Sequence, residues 1–175
     1  LPAVRNDLAR HYDNIHAMDQ RVGEILQALQ EDGLADSTLL IWTSDHGDGL
    51  PRAKRELFDS GIRVPMLMRH PGQNTAATDR RLVSFVDLAP TLYGIAGGQN
   101  PPNYWHGVNF LNGDSPPREY IYASRDRIDE ITDRQRAIRN RRFKYIRSYY
   151  PQVPGGHPLD YRDNLDMVRA WRSEF

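Results

Sequence analysis

The first half of the chain alternates helical and strand-like patterns of apolar residues. An amphipathic helix is predicted over residues 4–32 because apolar side chains recur at spacings of three, four and seven: Leu8, Tyr12, Ile15, Val22, Leu26 and Leu29. Gly33 predicts the end of this helix. The run STLLIWTS (37–44) follows directly and is typical of a buried parallel strand. The order helix, short loop, buried strand indicates an α/β fold.

Two further segments extend the pattern after a loop rich in Gly and Pro. The run RVPMLMRHPG (63–72) predicts a second strand, and RLVSFVD (81–87) predicts a short strand or extended segment. Asp87 is placed to cap a helix over LAPTLYGIAG (88–97), which Gly97 and Gly98 end.

Residues 99–117 contain four prolines and predict a boundary between two domains, 1–112 and 113–175. Beyond it, EYIYAS, QRAIRN and RFKYIRSYY predict strands, the last two joined in a hairpin around Asn140 and Arg141. Leu165, Val168 and Trp171 have helical spacing, and we expect this tail to pack across the small sheet. The fold class is therefore an α/β sheet followed by a small α+β subdomain.

The amino-acid composition excludes several classes of structure and function. The chain is 39% hydrophobic and 26% charged, as is ordinary for globular proteins, and no apolar run reaches the roughly 20 residues of a membrane span. The absence of cysteine excludes disulfides, thiolate metal sites and a cysteine nucleophile within this chain. The start LPAVRND carries no signal-peptide pattern and looks internal to a longer polypeptide, so the sequence does not decide between periplasm and cytoplasm.

The stretch TSDHGDGLPRAK (43–54) contains the main candidates for metal-binding and catalytic residues. Asp45 and His46 directly follow a predicted strand, and ligands of open α/β sheets bind beyond the carboxyl ends of the strands. A carboxylate and an imidazole are competent metal ligands, and Gly47 allows the backbone to turn so that both reach one centre. A capped turn explains the same residues, so both interpretations stay open from this pattern alone.

Four segments taken together resemble a known family: LLIWTSDHGD, LPRAKRELFDSGIRVPMLMRHPG, VSFVDLAPTLYGIAG and RDRIDEITDRQRAIRNRRFKYIRSYYP. They are similar to the C-terminal portion of the sulfatase family in the alkaline phosphatase superfamily, and most of all to bacterial heparan N-sulfatase-like members. The resemblance implies an alkaline phosphatase-like sheet for residues 1–112. It also implies that the parent enzyme is a sulfuric ester hydrolase.

The resemblance also implies roles for three residues. Asp45 matches a metal-binding aspartate, His46 matches the next ligand position, and Lys54 matches the basic residue that contacts the sulfate group near the leaving oxygen. The family's cofactor is one divalent metal ion, usually Ca²⁺. Histidine is an unusual ligand for such a hard cation, so His46 leaves room for Mn²⁺ or Zn²⁺.

One departure from the family pattern concerns the nucleophile. Sulfatases generate formylglycine from a Cys or Ser in a Cys/Ser-x-Pro-x-Arg motif, and this chain has neither that motif nor the early aspartate pair of the metal site. We therefore expect the chain to be the C-terminal part of the enzyme, inactive alone, with the N-terminal part of the same enzyme as its partner.

Two alternatives to a sulfatase remain at this point. One is a phosphomonoesterase, phosphodiesterase or phosphonate hydrolase of the same superfamily, and the other is a non-catalytic remnant that binds sulfated glycan. Arg125 and Arg127 are weaker candidates for contacting a small-molecule or glycan sulfate ester. We expect no nucleic acid partner, because acidic neighbours dilute the Arg-rich hairpin, and no membrane partner.

Overall fold

The computed structural model describes residues 1–72, 75–113, 115–153 and 155–174. Its elements are α1 (Pro2–Glu31), β1 (Leu40–Thr43), α2 (Asp59–Ile62), β2 (Met66–Arg69), a 3₁₀ turn (Phe85–Asp87), α3 (Leu88–Ile95), β3 (Ile121–Ile128), β4 (Ile131–Arg139), β5 (Lys144–Ser148), α4 (Asp160–Asp163) and α5 (Asp166–Arg172). None of the helices among these residues is long and apolar enough to cross a membrane.

The backbone forms two compact units. The first contains Leu1–Thr75, Arg127–Asp133 and Pro151–Phe175, and the second contains Ala76–Asp126 and Arg134–Tyr150. The β3–β4 hairpin therefore contributes its tip to the first unit and the rest of its strands to the second. The predicted division into domains 1–112 and 113–175 stays a prediction.

In the first unit, the long helix has the predicted extent, and Gly33 follows it with a φ of 69°. The tail contacts the long helix. The buried carboxylate of Asp7 on α1 accepts the Met167 N–H at 2.7 Å, and α5 packs against α1. This contact supplies an acceptor for an amide in the first turn of α5, which otherwise has no intrahelical partner. The expected packing of the tail across the small sheet stays a prediction.

The expectation of a parallel strand at STLLIWTS was wrong. Strand β1 pairs with β2 in antiparallel register, from Leu40 opposite Arg69 to Thr43 opposite Met66, and its four residues are half-buried. A short apolar run presents the same side chains to a parallel or an antiparallel neighbour. Direction is decided by how the connecting segment returns, which periodicity does not encode.

The core of the first unit draws on segments far apart in the chain. Its buried apolar side chains come from the segment before β1, the loop after β1, the hairpin tip and the tail: Ala35, Ala53, Leu57, Ile128, Leu159, Met167 and Val168. Arg55 joins the loop that carries Lys54 to the hairpin tip and the tail, because it pairs with Asp129 in the first and lies over the Tyr161 ring in the second.

In the second unit, the predicted strand at RLVSFVD is reduced to one bridge between Leu82 and Arg118 and then becomes the 3₁₀ turn. Asp87 occupies the N-cap position of α3, but its side chain makes no capping bond to that helix. Its oxygens instead accept the N–H groups of Ser84 at 2.9 Å and Val108 at 3.0 Å and the guanidinium of Arg118. This buried network turns the chain away from strand geometry.

The three-stranded sheet has the order β3–β4–β5. The predicted hairpin around Asn140 and Arg141 is confirmed: β4 pairs antiparallel with β5, and the Asn140 N–H donates to the Phe143 carbonyl at 2.9 Å. The Asn140 side-chain oxygen accepts the N–H groups of Arg142 and Phe143, which explains why Asn suits this turn.

Candidate functional site

Asp45 and His46 lie together at the end of β1. His46 Nε2 is 3.5 Å from Asp45 Oδ1, and the Asp45 side chain is 84% exposed. Two ligands of one divalent ion lie about 2.8–3.9 Å apart when each bond is about 2.0–2.4 Å long and the angle between the bonds is about 90–110°. The observed separation fits a pair that shares one metal ion.

The backbone fixes the tautomer of His46. Its Nδ1 lies 2.8 Å from the Gly47 carbonyl, which only accepts, so Nδ1 carries the proton. In the neutral ring, Nε2 then presents its lone pair on the side of Asp45. Metal-ligating histidines generally donate their other ring N–H to a carbonyl or carboxylate in this way.

Two glycines hold the loop after β1 closed. The Gly47 N–H donates to the Gly61 carbonyl at 3.0 Å, and a Cβ at Gly47 would lie only 1.7 Å from the Ser60 oxygen. A Cβ at Gly61 would lie 2.2 Å from the Glu56 oxygen. The need for glycine at Gly47 therefore comes from close backbone approach rather than from the turn that the sequence suggested.

Lys54 lies farther along the same loop. Its N–H donates to the Asp48 carbonyl at 2.9 Å, and its ammonium lies 5.3 Å from the centroid of the Tyr161 ring. Arg52 and Arg55 have φ angles of 63° and 70°, a region that residues other than glycine rarely adopt. Strained backbone of this kind concentrates at functional sites.

The two arginine candidates occupy different environments. Arg125 is buried on β3, at 7% exposure, whereas Arg127 is exposed and its Nε donates to the Asp129 carbonyl at 3.0 Å. Their contact with substrate stays a prediction, and Arg127 is the more accessible of the two.

No third ligand joins Asp45 and His46 in the part of the chain that the structure describes: no group of three or more His, Cys, Asp or Glu residues there is placed to hold a metal ion. Asp48 instead lies 3.4 Å from His11 Nε2 on α1.

Sequence patterns missed two neighbours of this loop. His11 approaches it from α1, and Tyr161 approaches Lys54 from the tail. Neither belongs to a motif, and each is distant in the chain, so only tertiary structure reveals them.

Comparison with protein families matches two models to this chain. The Sulfatase model covers residues 3–98, and the model for the C-terminal region of N-sulphoglucosamine sulphohydrolase covers residues 51–163. Together they include the Asp45–Lys54 loop and most of the remaining chain.

Curated relatives agree with the family models. An ulvan-active sulfatase of Formosa agariphila is 45% identical over 168 residues, which is 95% of this chain and 28% of that protein. Human N-sulphoglucosamine sulphohydrolase is 38% identical over 93 residues, which is 52% of this chain and 18% of that protein. The chain thus spans about a quarter or less of the length of these relatives.

Solved structures show the same fold. A structure of BT4656 in complex with its substrate D-glucosamine-2-N,6-O-disulfate matches with a TM-score of 0.61 and 24% identity, covering 87% of this chain and 34% of that one. A phosphonate monoester hydrolase from Silicibacter pomeroyi matches with a TM-score of 0.55 and 20% identity, covering 89% of this chain and 37% of that one. The fold is alkaline phosphatase-like, and both family models name sulfatases rather than phosphonate hydrolases. The chain belongs to the sulfatase family.

Proposed function

We propose that this chain is the C-terminal part of a sulfuric ester hydrolase whose N-terminal part supplies the formylglycine nucleophile. The observation that carries the proposal is the Asp45–His46 pair at the end of β1, in a chain that matches the sulfatase model. A sulfated glycan is the favoured substrate class, because the ulvan-active relative covers 95% of this chain. A superfamily phosphatase or phosphonate hydrolase is less well supported, since it rests on fold alone.

Sulfatases generally use a divalent metal, and we assign two of its ligands to Asp45 Oδ1 and His46 Nε2. The fit rests on the 3.5 Å separation and on the tautomer that the Gly47 carbonyl imposes. When bound, the metal supplies Lewis acidity toward sulfate oxygens and orients the nucleophile. Ca²⁺ is the first candidate from the family, and the imidazole ligand makes Mn²⁺ or Zn²⁺ the alternatives.

Lys54 is proposed to act on the leaving group. As the sulfur–oxygen bond breaks, negative charge grows on the bridging oxygen, and an ammonium beside that oxygen offsets the charge. The Lys54 N–H donates to the Asp48 carbonyl at 2.9 Å, which ties the backbone of Lys54 to the residues directly after His46. The attacking oxygen and the other metal ligands are proposed to come from the N-terminal part.

Metal content of the full-length enzyme tests the ligand assignment. Asp45→Ala is expected to lose most of the metal, and His46→Ala is expected to lose less. Asp48→Ala serves as the control, because Asp48 contacts His11 instead. Stoichiometric metal in the Asp45→Ala variant, measured by elemental analysis, would remove Asp45 from the site.

Steady-state kinetics on an aryl sulfate test Lys54. Lys54→Ala is expected to keep its metal and fold but to lose at least about 100-fold in kcat, the usual range for removing a group that stabilises developing charge. The only other lysine, Lys144, gives a matched control, and Lys144→Ala is expected to retain activity. Unchanged turnover in Lys54→Ala would exclude a catalytic role for Lys54. Preference of the full-length enzyme for an aryl phosphate or phosphonate ester would favour a phosphatase or phosphonate hydrolase instead of a sulfatase.

A further inference from the structure

We infer that Tyr161 is a positioning residue for Lys54, an inference that rests on the proposed function of Lys54. Tyr161 lies on α4 in the tail, and its ring centroid is 5.3 Å from the Lys54 ammonium. This distance is within the roughly 6 Å over which a cation is attracted to an aromatic ring. The tail thus contacts the side chain to which we assign leaving-group stabilisation.

A second cation holds the same ring. The Arg55 guanidinium lies 4.5 Å from the Tyr161 centroid, and Arg55 Nη2 also pairs with Asp129 Oδ2 at 2.6 Å. Asp129 occupies the tip of the β3–β4 hairpin with a φ of 42°. The strained loop and the strained hairpin tip are therefore joined through Arg55, directly beside the Tyr161 ring.

Tyr161 is itself 39% exposed, but it stands on a segment with buried neighbours. Its neighbours Leu159 and Arg162 are 1% and 3% exposed, and the Arg162 guanidinium donates to the His157 carbonyl. A ring carried on such a buried segment loses little conformational freedom when it contacts Lys54. It is therefore suited to hold a flexible side chain in one direction.

The nature of the contact matters for catalysis. Among the described residues, Lys54 forms no ion pair, whereas Arg55 pairs with Asp129 and Arg81 with Asp79. A carboxylate beside Lys54 would neutralise the ammonium and compete with a sulfate oxygen. An aromatic ring attracts the ammonium and leaves its full charge for the substrate.

The test uses the full-length enzyme and an aryl sulfate. Tyr161→Leu is expected to lower kcat/KM by roughly 5- to 30-fold, in the range of a partly desolvated cation–ring contact, at unchanged metal content. Tyr161→Phe keeps the ring and is expected to retain activity within about twofold. Tyr122→Leu removes a 69% exposed tyrosine elsewhere and is the matched control, expected to behave as wild type.

Introducing Tyr161→Leu into the Lys54→Ala variant distinguishes positioning of Lys54 from a general effect on protein stability. If Tyr161 acts through Lys54, Tyr161→Leu causes no further loss there, and an equal loss in both backgrounds overturns the inference. Wild-type kinetics of Tyr161→Leu, or a Tyr161→Phe variant as impaired as Tyr161→Leu, also overturn it while the proposed function stands. Full activity of Lys54→Ala overturns both this inference and the leaving-group role proposed for Lys54.

Discussion

The Asp87 carboxylate organises its surroundings in the second unit. Its side chain is 2% exposed and accepts hydrogen bonds from two backbone amides and from Arg118. Burial acts to raise the pKa of Asp87, but the hydrogen bonds from Arg118, Ser84 and Val108 outweigh it and hold the pKa below its ordinary value. The ionised form is therefore favoured by folding.

Removing this carboxylate is expected to destabilise the segment around α3. Asp87→Ala leaves two amides and a guanidinium without their acceptor, which we expect to cost about 3 kcal/mol, the lower end for breaking a buried pair. Hydrogen exchange of the Ser84 and Val108 amides in the full-length enzyme measures the loss. Asp79→Ala breaks an exposed pair with Arg81 and should change exchange little.

The lowered pKa of Asp87 also predicts how the stability of this segment changes with pH. Because the folded-state pKa is depressed, its stabilisation is present above the ordinary carboxyl pKa of about 3.9 and is lost as pH falls through the folded-state value. Wild-type protection at Ser84 and Val108 should fall in that acid range, and Asp87→Ala should lack this step. If protection at Ser84 and Val108 fell with pH in the same way in the wild type and in Asp87→Ala, Asp87 would not be the group responsible.

At the scale of elements, the path of the loop from β1 to α2 depends on glycines that lie directly against the backbone of other residues. A methyl group at Gly47 would lie 1.7 Å from the Ser60 oxygen, whereas one at Gly49 would have no neighbour within 4 Å. Gly47→Ala therefore forces Asp45 and His46 away from their positions, and Gly49→Ala leaves them in place.

We expect Gly47→Ala to lose most of its metal and activity in the full-length enzyme and Gly49→Ala to keep both. Elemental analysis and aryl sulfate kinetics of the two variants measure the difference. Equal metal content in both would show that the close approach does not hold the ligands.

For the whole molecule, the chain spans 28% of the length of its ulvan-active relative and carries two ligands and a lysine of the proposed centre. Removing one essential catalytic member typically costs several orders of magnitude in rate. The 175-residue chain alone should therefore show no sulfatase activity and only weak binding of divalent ions.

The experiment assays the purified chain on 4-nitrophenyl sulfate with Ca²⁺, Mn²⁺ or Zn²⁺, beside its Lys54→Ala variant. Turnover that disappears in that variant would place the catalytic centre within these residues. An inactive chain that binds sulfated oligosaccharide tightly would instead support the glycan-binding alternative.

Local features of this protein were readable from its sequence. The spacing of apolar residues predicted α1, and the alternation and the Asn140 turn predicted the β4–β5 hairpin. Each of these depends on residues close together in the chain, where periodicity and turn chemistry act directly.

Tertiary structure alone decided how distant segments meet. The antiparallel direction of β1, the packing of α5 on α1 through Asp7, and the approach of Tyr161 to Lys54 appear in no local pattern. Asp7 and Met167 are 160 positions apart, and their contact depends on which apolar surfaces the whole chain buries together. Short-range periodicity determines the elements, whereas burial and loop closure over long separations determine their partners.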